Sequence, residues 1–189
     1  MIISFSGAQS TGKTTLLKHL QAKNKDIVFV PEVTRLVKRQ YNLPINEDGT
    51  DLTQKIICAE HLKNAYSVDH QKANVILDRC SLDGWVYSSW LYKKKKISAS
   101  TLSFSEETFH DTQAKYDAIF YTSPDDLVVE DDGERSIDID FRNDIIKLFD
   151  LLKTQYTGNL ITLRGTVEER LQAIQNTLKN ITNGYTIII

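Results

Sequence analysis

Residues 1–20 read MIISFSGAQSTGKTTLLKHL, and residues 7–14 within them, GAQSTGKT, match G-x-x-x-x-G-K-[ST] at every fixed position. Gly7, Gly12, Lys13 and Thr14 fill the fixed slots. The flanks give the match its weight. The apolar run MIISFS has the length of a strand, and TTLLKHLQAK sets Leu16, Leu17 and Leu20 on the inner face of a helix. A strand, a loop and a helix in that order bring the loop amides and the helix N-terminus onto one anion. The two glycines permit backbone conformations and close approaches that a side chain would block. The spacing predicts that Gly7, Ala8, Gln9, Ser10, Thr11 and Gly12 cradle the phosphates of a nucleotide, with Lys13 neutralising the outer ones. The Thr14 hydroxyl then ligates magnesium, and Thr15 reaches an inner phosphate.

Four more apolar runs of strand length follow: DIVFV (26–30), NVILD (74–78), YDAIFYT (116–122) and NLITLR (159–164). Between them apolar residues recur at steps of three and four, as in Leu52, Ile56, Ala59, Leu62 and Tyr66. Ile145, Phe149, Leu152 and Tyr156 repeat the pattern, as do Val167, Leu171, Ile174 and Leu178. Near-continuous apolar strands alternating with amphipathic helices predict an α/β fold, a parallel sheet covered on both faces. Three stretches read as connections: 41–51, the basic and then Ser/Thr-rich KKKKISASTLS (93–103), and the acidic 123–140. The tail NGYTIII reads as a short edge strand or a frayed end.

The chain has 189 residues, 41% hydrophobic and 25% charged, which is enough for one good core and predicts one domain over 1–189. A formal net charge of -2 supplies no global field for nucleic acid or an anionic membrane, so any anion site must be local. Cys58 and Cys80 form no CxxC pair, and no leader or apolar stretch of membrane-spanning length is seen. Together these features point to a cytoplasmic protein without a membrane partner. A homodimer stays open.

A phosphate loop of this kind needs a second carboxylate to organise magnesium, usually an acid ending a buried strand. Asp78, at the end of VILD, fills that place, while Asp83 reads as a cap for the helix DGWVYSSWLYK. PEVTR follows the second strand directly, so Glu32 and Arg35 stand on the rim that carries the phosphate loop. There Glu32 is placed to orient or deprotonate an acceptor hydroxyl, and Arg35 to hold a phosphate or pair with Glu32. Arg79 adds a second positive centre on that rim, unless it serves a salt bridge to a nearby acid. In the acidic stretch, Arg135 and Arg142 are seven residues apart and share a face if both are helical. They suit a lid over 123–142 that delivers arginines to the transferring phosphoryl, or else a solvated surface loop.

GAQSTGKT, PEVTR, ILDR, YDAIFYTSPDD followed by DDGERS, and LRGTVEERLQAI together resemble the small P-loop kinases. The likeness is to the AAA-type ATPase/kinase family that includes the ribosylnicotinamide kinase domain of the bacterial NAD-salvage regulator. It extends more loosely to thymidylate and deoxynucleoside kinases, and covers residues 1 to about 178. The resemblance implies a five-stranded sheet in the order 2-3-1-4-5, and ATP and magnesium held by Gly12, Lys13, Thr14 and Thr15. It also implies Glu32 on the acceptor hydroxyl, Arg35 and Arg79 facing the acceptor, Arg135 in the lid, and Gly165 and Thr166 beside the adenine. The expected activity is an ATP-dependent kinase acting on a hydroxyl or phosphate of a small nucleoside or nucleotide. No adenylyltransferase or DNA-binding region precedes this segment, so a stand-alone kinase is expected.

Two other readings compete. One is a nucleotide-binding ATPase module that acts on a macromolecule. The other is a nucleic-acid end kinase, suggested by Lys93–Lys96 beside Trp85, Trp90 and Tyr92, although such a run ordinarily ends a helix in solvent. His19, His61, His70 and His110 show no ligand spacing and read as structural or surface residues, and Cys80 has no evident partner base.

Overall fold

Strands that are apolar on both faces must be covered on both faces, and the chain is built that way. A computed structural model describes residues 1–67, 74–124 and 138–181. Strands β1 (Ile2–Ser6), β2 (Val28–Val30), β3 (Val75–Asp78), β4 (Ala118–Thr122) and β5 (Leu160–Leu163) form one sheet in the order 2-3-1-4-5. Every pairing is parallel, with Ile2 opposite Val75 and Ile3 opposite Ala118. Each strand is shorter than its apolar run by one or two residues, because ladder hydrogen bonds and not hydrophobicity end a strand.

The helices are α1 (Lys13–Lys23), α2 (Val33–Tyr41), α3 (Asp51–Ser67), α4 (Ser81–Lys93), α5 (Ala99–Thr112), α6 (Ile139–Leu152) and α7 (Val167–Ile181). Strand side chains alternate between two cores. Ile3, Phe5, Ile76, Ala118 and Phe120 pack with Leu16 and Leu20 of α1 and Leu171 and Ile174 of α7. Ile2, Val75, Leu77, Ile119 and Tyr121 face the opposite way, onto Leu82 and Val86 of α4, Phe109 of α5 and Phe149 of α6. Helix α4 is buried along most of its length, and α3 packs on α4 and α5.

Two boundaries differ from the sequence reading. The helix assigned to DGWVYSSWLYK starts earlier, at Ser81, with Cys80 as its N-cap and Asp83 closing the capping box. KKKKISASTLS is not a connection throughout: α5 begins inside it at Ala99, capped by the Ser98 side chain, which accepts from the Thr101 amide. The lysine run does end a helix. Lys94 is the C-cap of α4, its amide bonded to Trp90 O, and its ammonium lies 3.4 Å from Asp144. The tail strand, His70 and most of the lid with Arg135 lie outside the described residues.

Candidate active site

In this strand order the chain runs from β1 to β2 and β3 on one side and later crosses to β4 on the other, so a crevice opens above the end of β1. The loop after β1 fills it. Gly7, Ser10 and Gly12 take φ of 137°, 56° and 83°, and Gly12 is the N-cap of α1. Ser10 holds that left-handed conformation despite its Cβ, at a cost of about 1 kcal/mol. At Gly7 a Cβ would stand 2.7 Å from Thr122 Oγ1 and 2.9 Å from Thr122 O, on the neighbouring strand. Gly7→Ala is therefore expected to destabilise the fold by about 2 kcal/mol, combining backbone strain with overpacking. An unshifted urea midpoint in that variant would contradict the close packing of loop on strand.

Lys13 folds back into the loop, where Nζ donates to Ala8 O at 2.6 Å, Gly7 O at 2.8 Å and Thr11 Oγ1 at 3.2 Å. All three acceptors are neutral. Burial, and next the Arg79 cation, lowers the Lys13 pKa to about 7. At the crown of the loop, Ser10 Oγ and Gln9 Nε2 are buried without a hydrogen-bond partner, while Gln9 Oε1 accepts from Tyr87 OH at 3.0 Å. A buried ammonium among neutral acceptors beside unpartnered donors is a site suited to an anion. Thr14 and Asp78 line the same cleft. One hydroxyl and one carboxylate are a usual protein share for a magnesium ion that takes its other ligands from water and phosphate. The donor set fits a nucleotide phosphate with its magnesium. Thr15 is exposed and not among the cleft residues, and Ala8 is fully buried beneath the loop.

Across the cleft a buried ion network joins three elements. Arg79, at φ 76°, donates from Nε to Glu32 Oε1 at 2.6 Å and from Nη1 to Asp83 Oδ1 at 2.8 Å and Gly7 O at 3.1 Å. The other Glu32 oxygen accepts from Arg35 Nε at 3.0 Å. Asp83 also accepts from Ser6 Oγ at 2.7 Å and from the Cys80 amide at 3.1 Å. The salt-bridge and rim readings of Arg79 and Arg35 therefore hold together, since both are paired and both line the cleft. Burial alone would raise Glu32, but Arg79, Lys13 and Arg35 outweigh it and draw its pKa down to about 2. Asp78 moves the other way, to about 6, through burial and the nearby Glu32 carboxylate. Cys80 is pushed up to about 12 by burial and forms no reactive thiolate.

Several contributors escaped the sequence reading. Behind Glu32 and Arg79 lies a second cavity, bordered by Gln54, His61, Asp83 and Tyr87. Gln54 Oε1 accepts from Ser88 Oγ at 3.2 Å, and burial lowers His61 to about 4, so the imidazole stays neutral. Arg170 of α7 is buried against the back of the phosphate loop. Its Nη1 donates to Thr11 O at 2.8 Å and its Nε to Gly165 O at 2.9 Å. Gly165 and Thr166 thus connect to the loop through Arg170, although neither lines the cleft; Thr166 shares a reciprocal cap with Glu169. Arg142, in the first turn of α6, reaches Gln9 O with Nε at 3.3 Å. Its lid partner, Arg135, falls outside the described residues.

Solved structures share this fold. A NadR protein in complex with NR matches with a TM-score of 0.71 at 20% identity, over 100% of this chain and 53% of the other. A NadR protein in complex with NAD and AMP-PNP matches at 0.65 and 16%, over 100% and 51%. The chain spans about half the length of these NadR chains. A deoxyadenosine kinase from M. mycoides, with the products dCMP and a flexible dCDP bound, matches at 0.70 and 15%, over 96% of this chain and 100% of that one. At these identities the likeness establishes the fold. No curated protein matches the chain by sequence. A family model described as an AAA domain matches residues 2–170, and with the phosphate loop in place at the end of β1 the chain belongs to that family.

Proposed function

We propose that the protein is an ATP-dependent kinase that transfers the γ-phosphoryl group to a hydroxyl of a small nucleoside-like acceptor. One observation carries this reading: the Glu32–Arg79 pair, 2.6 Å apart, faces the same cleft as Lys13 and the phosphate loop. The second pocket beyond Glu32 and Arg79, bordered by Gln54, His61 and Tyr87, offers a place for an acceptor molecule beside the phosphates. The AAA-domain membership and the fold shared with a nucleoside kinase support it.

In this proposal the cleft-lining loop residues Gln9 to Thr14 hold the triphosphate, Lys13 faces the outer phosphates, and Thr14 and Asp78 hold magnesium. Bound ATP with its metal supplies an electrophilic phosphoryl group and a neutralised leaving group. Glu32, ionised at any working pH, accepts the hydrogen bond of the acceptor hydroxyl and aims its oxygen. A carboxylate this acidic is a poor base, which suits a loose transition state that asks little proton removal of the enzyme. Arg79 fixes Glu32 in place. Arg135, from the lid, acts over the phosphates, and Gly165 and Thr166 border the adenine. A hydroxyl suits the acceptor end better than a phosphate, because Arg79 and Arg35 are already paired with carboxylates there. The lysine run offers little to a nucleic acid: Lys94 lies near Asp144, and Lys96 contacts Glu47 O and Asp48. Among the described residues no helix is long and apolar enough to cross a membrane.

A panel of nucleosides and monophosphates, incubated with ATP and magnesium and read by product mass, tests the proposal. The expected result is one nucleoside that gains a single phosphoryl group. ADP release that is equal with every candidate and without any would overturn it.

A further inference from the structure

We infer that Arg142 and Arg170 are positioning residues for the phosphate loop, each turning one loop carbonyl outward and thereby aiming the next amide at the phosphates. The inference rests on the nucleotide-binding half of the proposal above and not on the transfer step. In a planar trans peptide the C=O of one residue and the N–H of the next point in opposite directions. Lys13 Nζ, at the centre of the loop, takes Gly7 O and Ala8 O. The carbonyls of Gln9 and Thr11 turn instead to guanidinium groups from distant elements. Arg142 Nε of α6 bonds Gln9 O at 3.3 Å, and Arg170 Nη1 of α7 bonds Thr11 O at 2.8 Å. The amides thereby directed away from the arginines, into the loop, are those of Ser10 and Gly12.

The backbone marks the same two peptides. Ser10 and Gly12 are the residues with left-handed φ, 56° and 83°, within the run 8–12. A flip of the preceding peptide would let Ser10 relax to a negative φ and would carry its N–H out of the loop. A hydrogen bond from a charged donor to the carbonyl opposes that flip. Arg170 is itself anchored, since its Nε holds Gly165 O at 2.9 Å and its Nη2 reaches Ser123 O at 3.4 Å. One rigid guanidinium therefore ties the loop to the end of β4 and to the turn before α7. This is a fork geometry that an ammonium does not reproduce.

The test uses ¹⁵N-labelled full chain titrated with inorganic pyrophosphate, following backbone amide resonances and the dissociation constant. In the wild type the Ser10 and Gly12 amides are expected to respond. In Arg170→Met pyrophosphate binds about tenfold more weakly, the scale of one lost charge-assisted hydrogen bond. The Gly12 response is lost in that variant while the Ser10 response persists. Arg142→Met gives the mirror pattern, and decides alone if Arg170→Met does not fold. Arg170→Lys restores only part of the affinity. Full affinity in Arg170→Lys with loss spread evenly over the loop amides in Arg170→Met, or unchanged responses in both Met variants, would overturn the inference. A wild-type chain that binds no pyrophosphate would sink the nucleotide reading and this one with it.

Discussion

Lys13→Ala is expected to cut phosphoryl transfer by about 10²-fold or more, the scale seen when one preorganised donor is removed from a developing charge. The same variant is expected to fold more stably around neutral pH. In the nucleotide-free protein burial lowers the Lys13 pKa to about 7 from an ordinary 10.5. Between those two values the unfolded chain binds more protons than the folded one, so the Lys13 contribution to stability improves as pH rises through that window. Alanine removes that dependence. Bound phosphates favour the ammonium form, so wild-type ATP affinity should fall as pH rises above 7, by up to tenfold per unit. Urea midpoints and ATP affinities for both proteins at pH 7 and pH 9 check each sign. A variant that is less stable than wild type at pH 7 would show that Lys13 braces the loop structurally and is not held there for an anion.

Glu32→Gln is expected to lower kcat by about 10² to 10³-fold while leaving ATP affinity within a few-fold of wild type. Glutamine keeps the shape and one acceptor oxygen but loses the charge that holds Arg79 Nε at 2.6 Å. Arg79 keeps Asp83 as its partner, so the variant should fold. Acid stability should also change. Glu32 is depressed from 4.5 to about 2, so its contribution is present above the higher value and lost as pH falls through the lower one. Glutamine flattens that part of the acid unfolding curve. Steady-state kinetics that show a raised KM for ATP at unchanged kcat would assign Glu32 to nucleotide binding and not to the acceptor.

The sheet was legible because burial on two faces writes an apolar run into each strand, and the phosphate loop because its chemistry demands glycine and lysine at fixed spacings. Helix α5 was not. Its buried face holds Thr101, Ser105, Thr108 and Thr112, so apolar periodicity passes over it. Ser105 Oγ, Thr108 Oγ1 and Thr112 Oγ1 each donate to a carbonyl of their own helix at 2.7 Å, which lets hydroxyls pack as though apolar. The capping signal at Ser98 was the available clue. Arg170 left no signal at all, since an arginine on an amphipathic helix reads as solvated until the fold turns it inward. At Glu32, Arg35 and Arg79 the sequence offered a choice between ion pair and rim that the fold does not require. The ion pairs are what hold these side chains on the rim.

Arg79 has one more consequence, for anyone wishing to change what the protein accepts. Gly7 O takes a hydrogen bond from Lys13 and another from Arg79, so one peptide oxygen couples the phosphate-loop and Glu32 sides of the cleft. Substitutions at Arg79 made to alter acceptor preference will therefore disturb the phosphate loop as well. Gln54 and His61 border the inner cavity without the bond that Tyr87 makes to Gln9 of the phosphate loop. A library confined to Gln54 and His61 is the way to vary selectivity while leaving the phosphate loop intact.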